Sequence, residues 1–198
     1  MLIFITGGAA SGKSAYAETV VKKLFDRDGG TLVYLATMES ESAEGQERIR
    51  RHREMRTGKG FVTVEKSTHL SSVKVPPKSA VLLECLTNLA ANELFGRDGA
   101  GKNSFEEICN GLLCLKKQAR HLVIVSGEIF SDGVCYDPAT VEYQKLLANL
   151  HGWIASRADF VQEIVCGLPA NGVPLPVGSS EKLDTGQTLP QRPGKSGI

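Results

Sequence analysis

The sequence predicts an α/β fold, a largely parallel sheet with helices on both faces. Two observations predict it. Short apolar runs recur along the chain, and most are followed by a stretch with apolar residues at three- and four-residue spacing. The first run, Leu2 to Ile5, opens on a glycine-rich turn that leads straight into such a stretch. Strands that alternate with helices are joined by crossovers, which makes neighbouring strands parallel and covers both sheet faces.

Each element has its own signal. After the turn, residues 15–25 predict a helix: Ala17, Val20, Val21 and Leu24 share a face, with Lys22 and Lys23 outside. Asp28, Gly29 and Gly30 stop it. Residues 32–36 (LVYLA) form a second buried strand, completing one β-α-β unit. Residues 40–56 are dense in charge, and only Ile49 and Met55 could face a core, so a surface helix is expected. Residues 61–65 alternate like a short strand; 67–75 form a turn or short helix ended by Pro76 and Pro77. A buried strand at 80–83 ends on Glu84, and a helix follows over 87–95. A flexible loop at 96–103 precedes a helix over 105–118, with Ile108, Leu112 and Leu115 inward. The strand at 121–125 runs into Ser126, Gly127 and Glu128. Residues 132–138 read as a turn, 141–157 as a helix carrying Leu146, Leu150, Trp153 and Ile154 inward, and 160–165 as a last strand. Beyond Gly178 almost nothing is apolar. The expected organisation is a nucleotide-binding domain over 1–177 and a disordered tail over 178–198.

Composition narrows the function classes. A formal net charge of +1 gives no pull towards nucleic acid. No apolar run approaches the roughly 18 residues of a membrane span, and the N-terminal run lacks the basic leader of a signal peptide. Cys85, Cys109, Cys114, Cys135 and Cys166 are odd in number, without a C-x-x-C pair. They predict reduced, mostly buried thiols in a cytoplasmic protein.

The chemistry starts at Gly7, Gly8, Ala9, Ala10, Ser11, Gly12, Lys13 and Ser14. Their spacing, G-x-x-x-x-G-K-S, is that of the phosphate-binding loop of P-loop NTPases. The glycines let backbone N–H groups turn inward around an anion, and the following helix points its positive end there. Lys13 reaches the β- and γ-phosphates of a bound nucleotide, and the Ser14 hydroxyl suits Mg²⁺. In a parallel sheet, ligands bind at the carboxyl ends of the strands. That edge also collects Thr37, 84–87 and 126–128. Glu84 fits the metal-holding acid that ends a strand in such proteins; the alternative is a carboxylate that merely caps the next helix.

The charged segment has two readings. Glu44, Arg48, His52 and Arg56 recur every fourth residue, so they share a helical face, and Arg51 and Arg53 flank the histidine. This is either a solvated face or a cationic stripe that meets a triphosphate. In the second reading His52 is a nucleophile, its imidazole kept neutral by the arginines and able to attack an α-phosphorus. His69, His121 and His151 lack metal-ligand partners at useful spacing and read as structural.

GGAASGKS at 7–14, YLAT at 34–37, RIRRHR at 48–53 and LLECLTNLAANELF at 82–95 occur together in this order. Together they resemble the bifunctional adenosylcobinamide kinase / adenosylcobinamide-phosphate guanylyltransferase family of cobalamin biosynthesis, over roughly residues 1–168. The resemblance implies two reactions. A nucleoside triphosphate phosphorylates the aminopropanol hydroxyl of adenosylcobinamide; GMP from GTP then passes through a guanylylated histidine onto that phosphate. It aligns the histidine with His52, the family acid with Glu84 and a family asparagine with Asn92. It also implies Mg²⁺, ATP or GTP, a corrinoid substrate and a homotrimer. The chain departs from the family pattern at Thr57, at Gly127-Glu128-Ile129-Phe130 (family Asn-Glu-Val-Gly), at Tyr143-Gln144-Lys145 and at His151-Gly152. Every phosphate-loop position is kept. Two other functions share the loop: a P-loop kinase without guanylyl transfer, and a nucleotide-binding module without catalysis.

Overall fold

A computed structural model describes residues 1–39, 46, 47, 50, 54, 58–130 and 133–177. The element order is β1 (Leu2–Gly7), α1 (Lys13–Asp28), β2 (Leu32–Ala36), β3 (Val62–Glu65), β4 (Ala80–Glu84), α2 (Leu86–Phe95), α3 (Ser104–Gln118), β5 (His121–Gly127), α4 (Pro138–Ala155), β6 (Phe160–Val165) and β7 (Leu168–Pro169). The sheet order is β3-β2-β4-β5-β1-β6-β7. Every pairing is parallel except the short β6–β7 return.

Alternation along the strands builds a core on each face. Leu2, Phe4, Val33, Leu35, Val81, Leu83, Leu122 and Ile124 pack under α2, α3 and α4. Ile3, Ile5, Leu32, Tyr34, Leu82, Val123 and Val125 pack under α1, with Ile164 and Val177 beside them. Each fully buried Leu, Ile or Val contributes about 2 kcal/mol relative to exposure. The predicted α/β class, with helices on both faces, therefore holds.

Register levels the strand ends. Ala36 stands opposite both Glu65 and Glu84, Glu84 opposite Val125, and Gly7 opposite Gly127. One edge of the sheet therefore carries the phosphate loop, Glu65, Glu84 and the β5 tip together.

Several boundaries differ from expectation for identifiable reasons. α1 begins at Lys13, because Gly12 takes a left-handed φ of 85° and turns the chain directly into the helix. α4 begins at Pro138: Asp137 Oδ1 accepts from Ala139 N (3.0 Å) and Thr140 N (3.1 Å), so what reads as a turn is an N-cap followed by proline in the first turn. Its inward face is Leu147, Leu150 and Ile154, with Leu146 and Trp153 only partly buried. The loop after α2 is tied down at Asp98 and Ala100 and contains a short 3-10 turn, Gly101–Asn103. All five cysteines are unpaired, but only Cys109 is buried; Cys135 and Cys166 are exposed. Within 40–57, the described residues Gln46, Glu47, Arg50 and Glu54 are helical, and Arg50 bridges both Glu47 and Glu54. The expected tail lies outside the described residues.

Candidate active site

The phosphate loop is shaped by close approaches. A Cβ on Gly7 would stand 2.4 Å from Ile164 O, and one on Gly12 would stand 2.9 Å from Gly167 Cα. Neither position admits a side chain without backbone movement. Ser11 N donates to Gly8 O (3.3 Å), and Gly167 N donates to Ser11 O (2.7 Å), so the β6–β7 corner braces the loop from behind. Lys13 Nζ donates to Gly8 O at 2.9 Å, which lays the side chain along the loop. The first amides of α1 have no acceptor within the helix and face the same turn.

Beside it, the Ser14 hydroxyl donates to Glu84 Oε1 at 2.6 Å, across 70 residues of sequence. Both line a cavity of about 320 Å³ with Ala9, Lys13, Tyr34, Ala36, Met38, Glu65, Thr87, Asn88 and Glu128 among its walls. A serine hydroxyl and a carboxylate are hard oxygen donors, the set Mg²⁺ takes. Of the predicted site residues, the structure therefore gathers Ala9, Lys13, Ser14 and Glu84 around one cavity.

Thr37 directly follows β2. It reaches the edge but is fully buried, and its Oγ1 donates to Cys85 O (2.8 Å) and accepts from Cys85 N (2.9 Å). Through these bonds Thr37 fixes the peptide that follows Glu84. Asn92 adds a second staple, donating to Thr37 O (2.8 Å) and Ser67 O (3.2 Å). Arg48, His52 and Arg53 lie outside the described residues.

Glu65, Glu128 and Tyr34 are cavity residues that sequence reasoning assigned no role. Glu65 had no signal beyond ending a weak strand; Glu128 had one, since it follows the β5 run at the expected edge. The departures from the family pattern form a coherent set. Tyr143 Oη donates to Thr87 O (3.0 Å) and Gln144 Nε2 to Ile129 O (3.1 Å). His151 Nε2 bonds Ser126 Oγ at 2.7 Å. All three tie α4 to the cavity wall or to the strand behind it. Burial pushes the Tyr143 phenol up to about 12 and the His151 imidazole down to about 4.

The remaining histidines also pair. His121 Nε2 meets Asp28 Oδ2 at 2.7 Å, and burial lowers its pKa. His69 gains partners the sequence did not reveal: ligand-type atoms of His69, Glu93 and Glu107 lie within 4.8 Å of one another. Hydrogen bonds account for this cluster. Glu93, fully buried, accepts from His69 N (2.6 Å) and Ala100 N (3.0 Å), while the His69 ring contacts Asp98 O (2.7 Å) and Glu107 Oε1 (3.4 Å).

Comparison with known proteins agrees with this geometry. Residues 3–171 match the family described as cobinamide kinase / cobinamide phosphate guanyltransferase. The chain belongs to this family. It is 37% identical over 183 residues to the bifunctional adenosylcobalamin biosynthesis protein CobU of Escherichia coli K12, an alignment spanning 85% of this chain and 97% of that protein. The protein of the same name from Salmonella typhimurium LT2 is 27% identical over 183 residues, with the same coverage. The cobinamide kinase / cobinamide phosphate guanyltransferase family is one of nucleotide-using transferases, so ATP or GTP is expected as a substrate. Among the described residues, no helix is long and apolar enough to cross a membrane.

Proposed function

We propose that this chain catalyses both reactions of its family, in adenosylcobalamin biosynthesis, and that it does so at one phosphate site used twice. The observation that carries the reading is the Ser14–Glu84 hydrogen bond beside Lys13 in a single cavity. In the kinase step, residues 7–14 cradle the triphosphate and Lys13 neutralises charge on the transferring group. The aminopropanol oxygen of adenosylcobinamide bonds to the γ-phosphorus as the nucleoside diphosphate leaves. Ser14 and Glu84 would hold Mg²⁺, which when bound supplies positive charge beside the phosphate oxygens.

In the second step, an imidazole nitrogen of His52 attacks the α-phosphorus of GTP and pyrophosphate leaves. An oxygen of cobinamide phosphate then displaces His52 and takes the guanylyl group. Arg51 and Arg53 flank this histidine in the sequence and Arg48 lies four residues before it; their charges favour its neutral, nucleophilic form. The reading includes a homotrimer, supported by exposed Val161, Val165, Leu168 and Val173 around the β6–β7 edge, and a cytoplasmic location, supported by five unpaired cysteines.

Incubation with GTP labelled at the α-phosphate tests it. An acid-labile, alkali-stable label on the protein is expected, and His52→Asn abolishes it. Label that survives this substitution overturns His52 as the nucleophile. Transfer from ATP or GTP to adenosylcobinamide without any protein adduct leaves a kinase alone; nucleotide binding with no turnover leaves a binding module.

A further inference from the structure

We propose that Glu128 is the general base of the phosphoryl-transfer step, accepting the proton of the substrate hydroxyl. The proposal rests on the kinase reading above and assigns a residue that reading leaves without a role.

Topology decides among the three carboxylates lining the cavity. Strands lie about 4.8 Å apart, so β3, which carries Glu65, runs about 19 Å from the phosphate-loop strand β1 in the order β3-β2-β4-β5-β1. Glu84 on β4 is engaged with the Ser14 hydroxyl at 2.6 Å and belongs to the metal-binding pair. Glu128 leaves β5, the sheet neighbour of β1. Gly127 pairs with Gly7, and Glu128 N donates to Gly7 O at 3.0 Å, which carries the ladder one residue past the strand. Glu128 therefore lines the cavity at the strand end next to the phosphate loop.

Its setting is fixed from several sides. Glu128 Oε1 accepts from Phe130 N (2.5 Å), Gln144 Nε2 holds Ile129 O, and His151 holds Ser126 while its ring meets Phe130 edge-on, 5.6 Å between centroids. A base positioned this way loses no further freedom at the moment of transfer. The step balances. The substrate O–H bond breaks and its proton passes to the Glu128 carboxylate. The oxygen's electron pair forms the new bond to the γ-phosphorus, and the bridging P–O bond breaks with its pair leaving on the nucleoside diphosphate. Glu128 then releases the proton to solvent.

Glu128→Gln keeps the shape and an acceptor for Phe130 N but removes the basicity. In steady-state assays with ATP and adenosylcobinamide, kcat is expected to fall about 100-fold or more, with KM for ATP within about threefold. Glu128→Asp is expected to recover at least about tenfold of that loss. In the same samples, guanylylation of the protein by GTP falls far less, because it deprotonates no substrate hydroxyl. A Gln variant within threefold of the wild-type kcat, or one that loses nucleotide affinity and guanylylation in step with kcat, overturns the assignment. A wild-type enzyme that forms no phosphorylated corrinoid overturns the kinase reading itself, a result distinct from failure of the variants.

Discussion

The two ends of α2 carry carboxylates that do opposite work. Two residues before its first, at the end of β4, Glu84 is half-buried and shares the Ser14 hydroxyl at the wall of an open cavity. Near its last turn, Glu93 is fully buried and gives its two oxygens to the backbone amides of His69 and Ala100. A carboxylate committed to amides in a dry interior is architecture, since burying it unpartnered would cost several kcal/mol. A carboxylate facing a hydroxyl and a lysine across a cavity can exchange partners with a ligand, and that is what chemistry needs. Only residues 85–92 thus separate a reactive edge from a clamp that closes the loop 96–103.

The largest effect that tests this contrast is at the reactive edge. Among the described residues Lys13 Nζ bonds the loop's own Gly8 O alone, so nothing in the core depends on it. Lys13→Ala is expected to lower phosphoryl transfer about 10³-fold or more while Tm stays within about 2 °C. Turnover within tenfold of wild type, measured by transfer from labelled ATP, would remove the phosphate-site assignment. Loss of the fold along with activity would erase the distinction between the two ends.

The clamp should respond the other way. Glu93→Gln presents an NH₂ where one of two backbone N–H groups expects an acceptor. The expected cost is about 2 kcal/mol of stability, or roughly 4–8 °C in Tm for a domain of this size. At a temperature well below the transition, kcat should change less than about twofold. A kcat that drops while Tm holds would show that the clamp end of α2 belongs to the site after all.

What was legible in the sequence follows the same division between local and tertiary information. The fold could be read because strands of a parallel sheet, buried on both faces, appear as continuous apolar runs. The loop could be read because its atoms are contiguous in the chain. Glu65 could not, since Val62–Glu65 is mostly exposed and gains its place only by pairing with β2. His69 looked partnerless because Glu93 and Glu107 reach it through tertiary packing. Asp137-Pro138 carried a correct signal that was misread, because a turn and a helix start use the same two residue types. Tyr143, Gln144 and His151 stood out as departures from a pattern; only side-chain hydrogen bonds show that they buttress one cavity. Thr37 was correctly placed at the edge, but its burial against Cys85 was not visible from its neighbours in the chain.

The smallest predicted effect lies behind the reactive edge, at His151. Its ring packs edge-on against Phe4 (5.0 Å) and Phe130 (5.6 Å), and burial lowers its pKa from 6.5 to about 4, partly opposed by the charge of Glu128. Between those values the unfolded chain takes up a proton that the native ring refuses. Stability therefore falls as pH drops from 6.5 towards 4. His121, also lowered by burial, adds a slope of the same sign. Asp28, held at about 2 mainly by its hydrogen bond from Arg27, withdraws its contribution only as pH falls below the ordinary carboxylate range towards that value. His151→Asn keeps a polar group for Ser126 and removes the titration. Its stability loss between pH 7 and pH 5, from urea unfolding at each pH, is expected to be smaller than that of the wild type by about 1 kcal/mol, half of the roughly 2 kcal/mol that the full shift would give, because solvent screens a ring that is only part-buried. An unchanged pH slope would mean that solvent reaches the ring. The wall behind Glu128 would then be looser than the fixed β5 tip that positions a base beside the phosphate loop.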